Sequence, residues 1–142
     1  MSKPRPPLPH ADIIVDVPFF DIDPMGIAWH GHYVKYCELA RCALLETFDY
    51  NYRQMQESGY AWPVIELKLR YAKPAKLGQK LRVRATLREY ELRLKIEFLI
   101  TDATTGSRLS KGYTIQVPVN IRTEVMLFGS PPILFEKLGL KK

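Results

Sequence analysis

The sequence predicts an α+β domain in which an antiparallel sheet curves around one long central helix. Apolar residues recur at three- and four-residue steps from Tyr33 to Phe48, which indicates a helix. From Ala61 onward the period changes to two, and four segments alternate apolar with polar residues, as strands with one dry face do. Because the helix is apolar on more than one side, we expect the sheet to wrap around it.

Shorter elements flank this core. Ile13 to Phe19 is a β-branched run that contains Pro18, which predicts a first strand near a sheet edge. Asn51 to Glu57 predicts a short helix, and Pro131 to Leu138 predicts a final helical turn.

The four alternating segments define the dry faces that we expect in the sheet. Their joins, KPAKLGQ, EYE and DATTGS, have turn chemistry or hairpin length. The expected dry faces are Ile65, Leu67, Leu69 and Tyr71; Leu81, Val83, Ala85 and Leu87; Leu92, Leu94, Ile96, Phe98 and Ile100; and Tyr113, Ile115, Val117 and Val119.

Composition predicts one cytoplasmic domain. The 142 residues, 46% of them hydrophobic, can bury a substantial core, and we place a single domain at residues 12–142 behind a proline-rich arm at residues 1–11. No run approaches the roughly 20 apolar residues of a membrane span, and the arm lacks the apolar region of a signal peptide. The two cysteines, Cys37 and Cys42, fall on different faces of the helix, so we expect reduced thiols.

The charge distribution predicts an anionic partner. The formal net charge is +6, and ten Lys or Arg residues lie between Lys68 and Lys95 against only Glu89 and Glu91. A solvated sheet face explains this pattern equally well. The functional interpretation is that basic residues bind coenzyme phosphates or an acidic carrier protein. Nucleic acid is not favoured, because stacking aromatics do not interleave with these cations.

The stretch before the helix carries the chemistry. Asp21 and Asp23 are followed by Pro24, which holds Asp23 extended, and by Gly26, which supplies the bend. The first turn of the helix, near His30 to Tyr33, offers unpaired N–H groups to an oxyanion or acyl carbonyl. A carboxylate thus precedes a helix N-terminus.

These residues support a family resemblance. The run DIDPMGIAWHGHY, from Asp21 to Tyr33, resembles the active-site loop of the hotdog-fold 4-hydroxybenzoyl-CoA thioesterase-like family, which includes acyl-CoA thioesterases associated with the Tol-Pal system. The run YAKPAKLG, from Tyr71 to Gly78, is similar to the hairpin between that family's second and third strands. The resemblance implies a hotdog fold, hydrolysis of acyl-CoA or acyl-carrier thioesters, and a dimer or tetramer with sites at subunit boundaries. One residue departs from the family, which commonly has Asn where this chain has His32.

The resemblance also implies residue roles. Asp23 becomes the catalytic carboxylate, as nucleophile or general base, and the His30 backbone N–H polarises the thioester carbonyl. We expect Asp21 to shape the loop or to bond to backbone amides. The expected substrate contacts are Gly31, Tyr33, Lys73, Lys76 and Arg88. We expect no cofactor and no metal, because His30 and His32 lack a suitably spaced third ligand.

Two other functions remain open. The first is a hotdog hydroxyacyl-thioester dehydratase that uses His30 and Glu38, although Glu38 is better explained as an i,i+3 ion-pair partner of Arg41. The second is a non-catalytic module that binds an acyl carrier or nucleic acid.

Overall fold

The computed structural model describes residues 8–140, and in these a five-stranded antiparallel sheet packs on one long helix. The sheet order is β1-β4-β5-β6-β3, and a separate pair joins β2 to β7. The elements, in chain order, are β1 (His10–Asp16), a 3-10 turn (Phe19–Asp21), α1 (His32–Thr47), α2 (Tyr52–Glu57), β2 (Tyr60–Ala61), β3 (Val64–Tyr71), β4 (Lys80–Glu89), β5 (Leu94–Asp102), β6 (Arg108–Gln116), β7 (Val119–Asn120) and α3 (Pro132–Lys137).

The predicted helices are confirmed within two residues at each end. Helix α2 begins behind Asn51, whose side chain accepts from the Gln54 N–H while the Gln54 side chain accepts from the Asn51 N–H. The first strand begins at His10, three residues before the predicted start, and ends at Asp16. Most of the predicted arm, residues 1–7, lies outside the described residues.

Helix α1 buries one face on the sheet. This face packs on β1 and β4, and its members are Tyr33, Tyr36, Cys37, Ala40, Arg41, Leu44 and Leu45. In a single chain the opposite face is open, and Val34 and Leu39 are exposed. The wrapping of the helix that we expected is therefore one-sided. Across the described residues, no helix is long and apolar enough to cross a bilayer.

The alternation is confirmed in the middle of the sheet. The dry faces of β4 and β5 are fully buried, as predicted for Leu81, Val83, Ile96 and Phe98. Burying each such side chain contributes about 1.5–3 kcal/mol relative to leaving it exposed. Leu92 is an exception and is exposed, because β5 begins only at Leu94 and Leu92 lies in the turn before it.

Strand β3 differs from the prediction. It pairs only with β6, so its other edge is free in the single chain. Its expected dry face is not dry, because Ile65 is 59% exposed and Leu67 and Tyr71 are each 44% exposed. The physical reason is that α1 packs mainly over β1 and β4 and approaches β3 at its first turn, where the centroid of the Tyr33 ring lies 5.0 Å from that of the Tyr71 ring.

The predicted dry face of β6 is confirmed at Ile115, which is buried, but wrong for the face that packs toward α1. Thr114 and Gln116 pair across the ladder with the buried Ile96 and Leu94, so these two polar residues lie on the helix side. Both are buried, whereas Tyr113 lies on the opposite side. The reversal has a physical cause, because buried Arg41 of α1 donates from Nη2 to the Thr114 hydroxyl at 2.7 Å. Polar residues of β6 therefore occupy core positions where we expected apolar ones.

Candidate active site

The loop between the 3-10 turn and α1 folds back on itself at Asp23. The Asp23 N–H donates to the Ile27 carbonyl at 2.9 Å, and the Gly26 N–H donates to the Asp23 carbonyl at 3.0 Å. The carboxylate serves the same turn, because its Oδ1 accepts from the Met25 N–H at 2.8 Å and from the Ile27 N–H at 3.5 Å. Gly26 has φ +82°, a conformation that glycine adopts at little cost. The backbone of Asp23 is thus fixed, and no described residue donates to its Oδ2.

A cavity of about 300 Å³ lies beside this turn. Its walls come from the loop, from the start of α1, and from the end of β3 with the turn that follows. The lining residues are Asp23, Ile27, Ala28, His30, Tyr33, Tyr71, Ala72, Lys73 and Pro74. The two residues that the sequence nominated for chemistry, Asp23 and His30, therefore line one cavity.

Two tyrosines in the wall of this cavity form hydrogen bonds with the backbone. The Tyr71 hydroxyl donates to the His30 carbonyl at 3.0 Å, and the Tyr33 hydroxyl accepts from the Ala75 N–H at 2.8 Å. The Tyr33 and Tyr71 ring centroids are 5.0 Å apart. Burial raises the pKa of both phenols, so both hydroxyls are protonated near neutral pH. They act as fixed hydrogen-bonding groups.

Helix α1 begins at His32, and a turn at His30 and Gly31 leads into it. The His32 N–H donates to the Trp29 carbonyl at 2.9 Å, and the Tyr33 N–H donates to the His30 carbonyl at 3.2 Å. Among the described residues, none accepts from the N–H of His30 or Gly31. The unpaired amides that we predicted at the helix start are therefore present in this turn.

Gly31 is needed because of Trp29. A Cβ built on Gly31 would lie 2.2 Å from the nearest atom of the Trp29 ring. The indole covers the backbone of the turn, and only glycine leaves room for it.

Comparisons with known proteins show the superfamily of this chain. Residues 17–134 match the thioesterase-like superfamily. The chain belongs to this superfamily. It is 29% identical over 76 residues to the putative acyl-CoA thioesterase YneP of Bacillus subtilis, a match that covers 54% of this chain and 55% of YneP. It is 27% identical over 128 residues to the putative esterase sll0410 of Synechocystis, which covers 89% of this chain and 77% of that protein. The match to YneP thus spans about half the length of that relative.

Solved structures of other proteins share the fold. The protein TT1821 of Thermus thermophilus superposes with a TM-score of 0.79 at 27% identity, over 90% of this chain and 96% of that one. Slr0204, a 1,4-dihydroxy-2-naphthoyl-CoA thioesterase of Synechocystis, gives a TM-score of 0.80 at 18% identity, over 91% of this chain and 94% of that one. The predicted hotdog fold is confirmed.

Several residues that the superfamily resemblance nominated come together. Asp23, His30, Tyr33 and Lys73 line the cavity, and Gly31 forms the adjoining turn. The Lys73 Nζ donates to the Ser107 hydroxyl at 2.9 Å.

Two nominated basic residues lie elsewhere. Lys76 is exposed beside the loop, where its backbone forms a bridge with Ile27. Arg88 is not brought to the cavity, because it lies on the face of β4 away from α1 and forms an ion pair with Glu97 at 3.3 Å. Its binding role stays a prediction that the geometry of a single chain does not support.

Asp21 is the functional residue whose partners sequence reasoning missed. We expected it to shape the loop or to bond to backbone amides. It is 2% exposed, and its carboxylate accepts from side chains instead, from the Lys35 Nζ at 2.7 and 2.8 Å and from the Tyr36 hydroxyl at 2.6 Å. A role in shaping the loop stays a prediction. Burial raises the pKa of Asp21, but the Lys35 and Tyr36 hydrogen bonds outweigh it and hold that pKa below its usual value. Nδ1 of His32, the residue that departs from the family pattern, lies 3.6 Å from the same carboxylate. The one feature of the sequence that could have indicated these partners is Lys35, a charged residue near the start of an apolar helix.

Glu38 does not join His30. Its carboxylate pairs with the Arg41 guanidinium, as the i,i+3 interpretation predicted, and it accepts from the Tyr52 hydroxyl at 2.9 Å. Glu38 is not among the cavity residues. The acid and histidine of the dehydratase hypothesis are therefore not assembled at this cavity.

Other chemistries lack a geometric basis in the described residues. Burial raises the pKa of the Cys37 thiol to about 12, so Cys37 carries no thiolate near neutral pH. Within residues 8–140, no three His, Cys, Asp or Glu side chains are grouped as metal ligands would be.

Proposed function

We propose that this chain hydrolyses acyl thioesters, releasing a carboxylic acid and a free thiol. The observation that carries the proposal is that the Asp23 carboxylate and the turn with the unpaired His30 N–H line one cavity. Superfamily membership and relatives named acyl-CoA thioesterase, in Bacillus subtilis and Helicobacter pylori, support acyl-CoA as substrate. A relative in Arabidopsis thaliana named acyl-acyl carrier protein thioesterase keeps a carrier-bound substrate open.

The chemistry needs few groups. Sulfur donates weakly into the thioester carbonyl and leaves readily as a thiolate. By one route Asp23 attacks the acyl carbon, the carbon–sulfur bond breaks, and water hydrolyses the resulting mixed anhydride. By the other route Asp23 takes a proton from a water that attacks the same carbon, the carbon–sulfur bond breaks, and the proton passes to the leaving thiolate. In both routes the His30 N–H donates to the developing oxyanion, a contribution on the order of 3 kcal/mol.

The position of the cavity supports a site shared between two subunits. Tyr71 is the last residue of β3, whose outer edge is unpaired and which carries the exposed Ile65 and Leu67. Such an apolar edge favours pairing with a second strand. We propose a homodimer in which two β3 edges meet, and a tetramer requires a further interface. A partner would extend the cavity beyond the walls that one chain supplies.

Anionic parts of the substrate would approach the side that carries Lys73 and Lys76. Lys73 lines the cavity and Lys76 is exposed nearby. Both side chains are long and solvated, which suits phosphates that are held as point charges outside the reacting centre.

The proposal is tested with acyl-CoA substrates of short, long and aromatic acyl groups, with thiol release followed by a chromogenic thiol reagent. We expect Asp23→Asn to lower kcat by about 100- to 10,000-fold, while circular dichroism and the oligomeric state stay unchanged. Asp12→Asn, a change of the same chemistry on β1, should leave kcat unaltered. Undiminished turnover in Asp23→Asn would remove Asp23 from the mechanism. Enoyl absorbance from a hydroxyacyl thioester without thiol release would favour the dehydratase.

A further inference from the structure

The buried carboxylate of Asp21 connects both ends of the catalytic loop to α1. Its side chain accepts hydrogen bonds from Lys35 and Tyr36 near the start of the helix. Its backbone carbonyl accepts from the Trp29 N–H at 3.1 Å, at the far end of the loop. Asp21 is also two residues from Asp23 and bonded to the residue before His30.

The loop between these ends is closed by main-chain contacts. Ile22 forms a bridge with Ala28, and the Asp23 N–H donates to the Ile27 carbonyl. These contacts hold the loop together as one unit. Ile27 and Ala28 attach it to the β3–β4 connection through Lys76 and Ala75, and Asp21 attaches it to α1. The described side-chain hydrogen bonds between the 3-10 turn and α1 all converge on Asp21.

Asp21 does not line the cavity. It is nearly inaccessible, so it cannot touch a substrate. Any effect of Asp21 on the reaction must act through the placement of other groups. Placement matters strongly in catalysis, because a displacement of about 1 Å can lower a rate roughly 100-fold.

We propose that Asp21 is a positioning residue that sets the Asp23 carboxylate and the His30 amide in register with each other through its contacts with Lys35, Tyr36 and Trp29. The inference deepens the proposed function and rests on it for its kinetic consequences. The attachment of the loop to α1 is a separate consequence, and it can be measured without any enzymatic activity.

The kinetic test compares Asp21→Asn with Asp12→Asn. Asp12 is a matched control because it also has a basic partner, Arg84, at 2.7 and 2.9 Å, on the sheet face away from α1. We expect Asp21→Asn to lower kcat by about 100-fold with KM changed less than about threefold, and Asp12→Asn to change neither. In an Asp23→Asn background, Asp21→Asn should lower the residual rate by a clearly smaller factor, because the part of its effect that passes through Asp23 is then already lost.

A merely structural role gives a different result. Loss of folded protein would lower the rate by the same factor in both backgrounds, and that outcome overturns the inference. An unchanged kcat in Asp21→Asn overturns it as well. If Asp21→Asn does not fold, Tyr36→Phe takes its place, because it removes only one hydroxyl from the same cluster and should show the same split between kcat and KM on a smaller scale.

Amide hydrogen exchange tests the attachment without any substrate. Asp21→Asn should speed exchange at Asp23 and Trp29 by at least about tenfold, while amides of β4 and β5 stay protected. Unchanged exchange at both loop amides overturns the inference even if the enzyme is impaired. If wild-type protein hydrolyses no thioester but exchange responds as expected, the proposed function fails and the positioning of the loop by Asp21 stands.

Discussion

The Tyr71 hydroxyl on β3 donates a 3.0 Å hydrogen bond to the backbone carbonyl of His30. This contact joins strand β3 to the turn that carries the unpaired His30 N–H. The two residues are 41 positions apart in the chain, so the contact exists only after the sheet and the loop have both formed. It makes the end of the edge strand part of the wall of the proposed active site.

Tyr71→Phe removes this hydrogen bond and keeps the ring. We expect kcat to fall about fivefold, since one neutral hydrogen bond contributes on the order of 1 kcal/mol, with a smaller change in KM. Steady-state thiol release measures both constants. Tyr113→Phe, on the opposite side of the sheet, is the control and should match wild type. A Tyr71→Phe enzyme with wild-type kcat would show that the orientation of His30 does not depend on this bond.

Gly31→Ala should disturb the turn through Trp29. The new methyl group would overlap the indole, so the ring must rotate away and uncover the turn. The Gly31 φ of −64° suits alanine, which leaves the backbone unstrained. We expect a loss of kcat and a change in Trp29 fluorescence, with little change in thermal unfolding. Gly31→Ala should lower kcat by a smaller factor in a Trp29→Ala background than in wild type, because the overlapping ring is then absent. An equal factor in both backgrounds would show that the overlap is not the cause.

The parts of this molecule that the sequence predicts well depend on local interactions. The Asp23 turn is built from Pro24 and Gly26 within three positions, and the span of α1 follows from its apolar spacing. The alternation of β4 and β5 is clear because both strands are central and one face is fully covered.

The parts that sequence reasoning missed depend on distant partners. Asp21 bonds to Lys35 across 14 positions, and Arg41 reaches Thr114 across 73. A buried arginine reverses the expected dry face of β6, because it needs hydroxyl and carboxylate partners where hydrophobic residues would otherwise pack. Periodicity carries no information about such pairs.

Thr114→Val should be unusually costly for a nearly isosteric change. It removes the acceptor of the buried Arg41 Nη2, and Nε of the same guanidinium already lacks a partner in the described structure. We expect the free energy of unfolding to fall by about 2 kcal/mol, measured by urea denaturation. Thr101→Val, on the outer face of β5, is the matched control and should change stability by less than about 0.5 kcal/mol.

The buried Asp21 predicts a specific pH dependence of stability. The pKa of Asp21 is lowered in the folded state. Its contribution to the free energy of unfolding is therefore present above the unfolded-state pKa near 3.8 and is lost as the pH falls through the folded-state pKa. At pH 7 the free energy of unfolding of wild type should exceed that of Asp21→Asn by about 2 kcal/mol, because the variant loses the charged hydrogen bonds from Lys35 and Tyr36. Urea denaturation at a series of pH values should show this difference shrinking only in the acidic range below about pH 4. A difference that already shrinks between pH 6 and 8 would contradict the assignment of this stability to Asp21.

The free edge of β3 predicts that assembly and activity are lost together. Leu67→Lys places a charge among the exposed apolar side chains of this strand, where pairing with a second copy would bury it. We expect the dimer to dissociate in size-exclusion chromatography with light scattering, with the fold retained by circular dichroism. Leu92→Lys is the control, since Leu92 is also exposed, at 65%, but lies in the turn between β4 and β5.

Because Tyr71 lies on the same strand as Leu67 and reaches His30, the Leu67→Lys monomer should lose most of its kcat as well. A monomeric Leu67→Lys variant with full activity would show that one chain builds the whole site, and a Leu67→Lys variant that remains dimeric would move the interface away from β3.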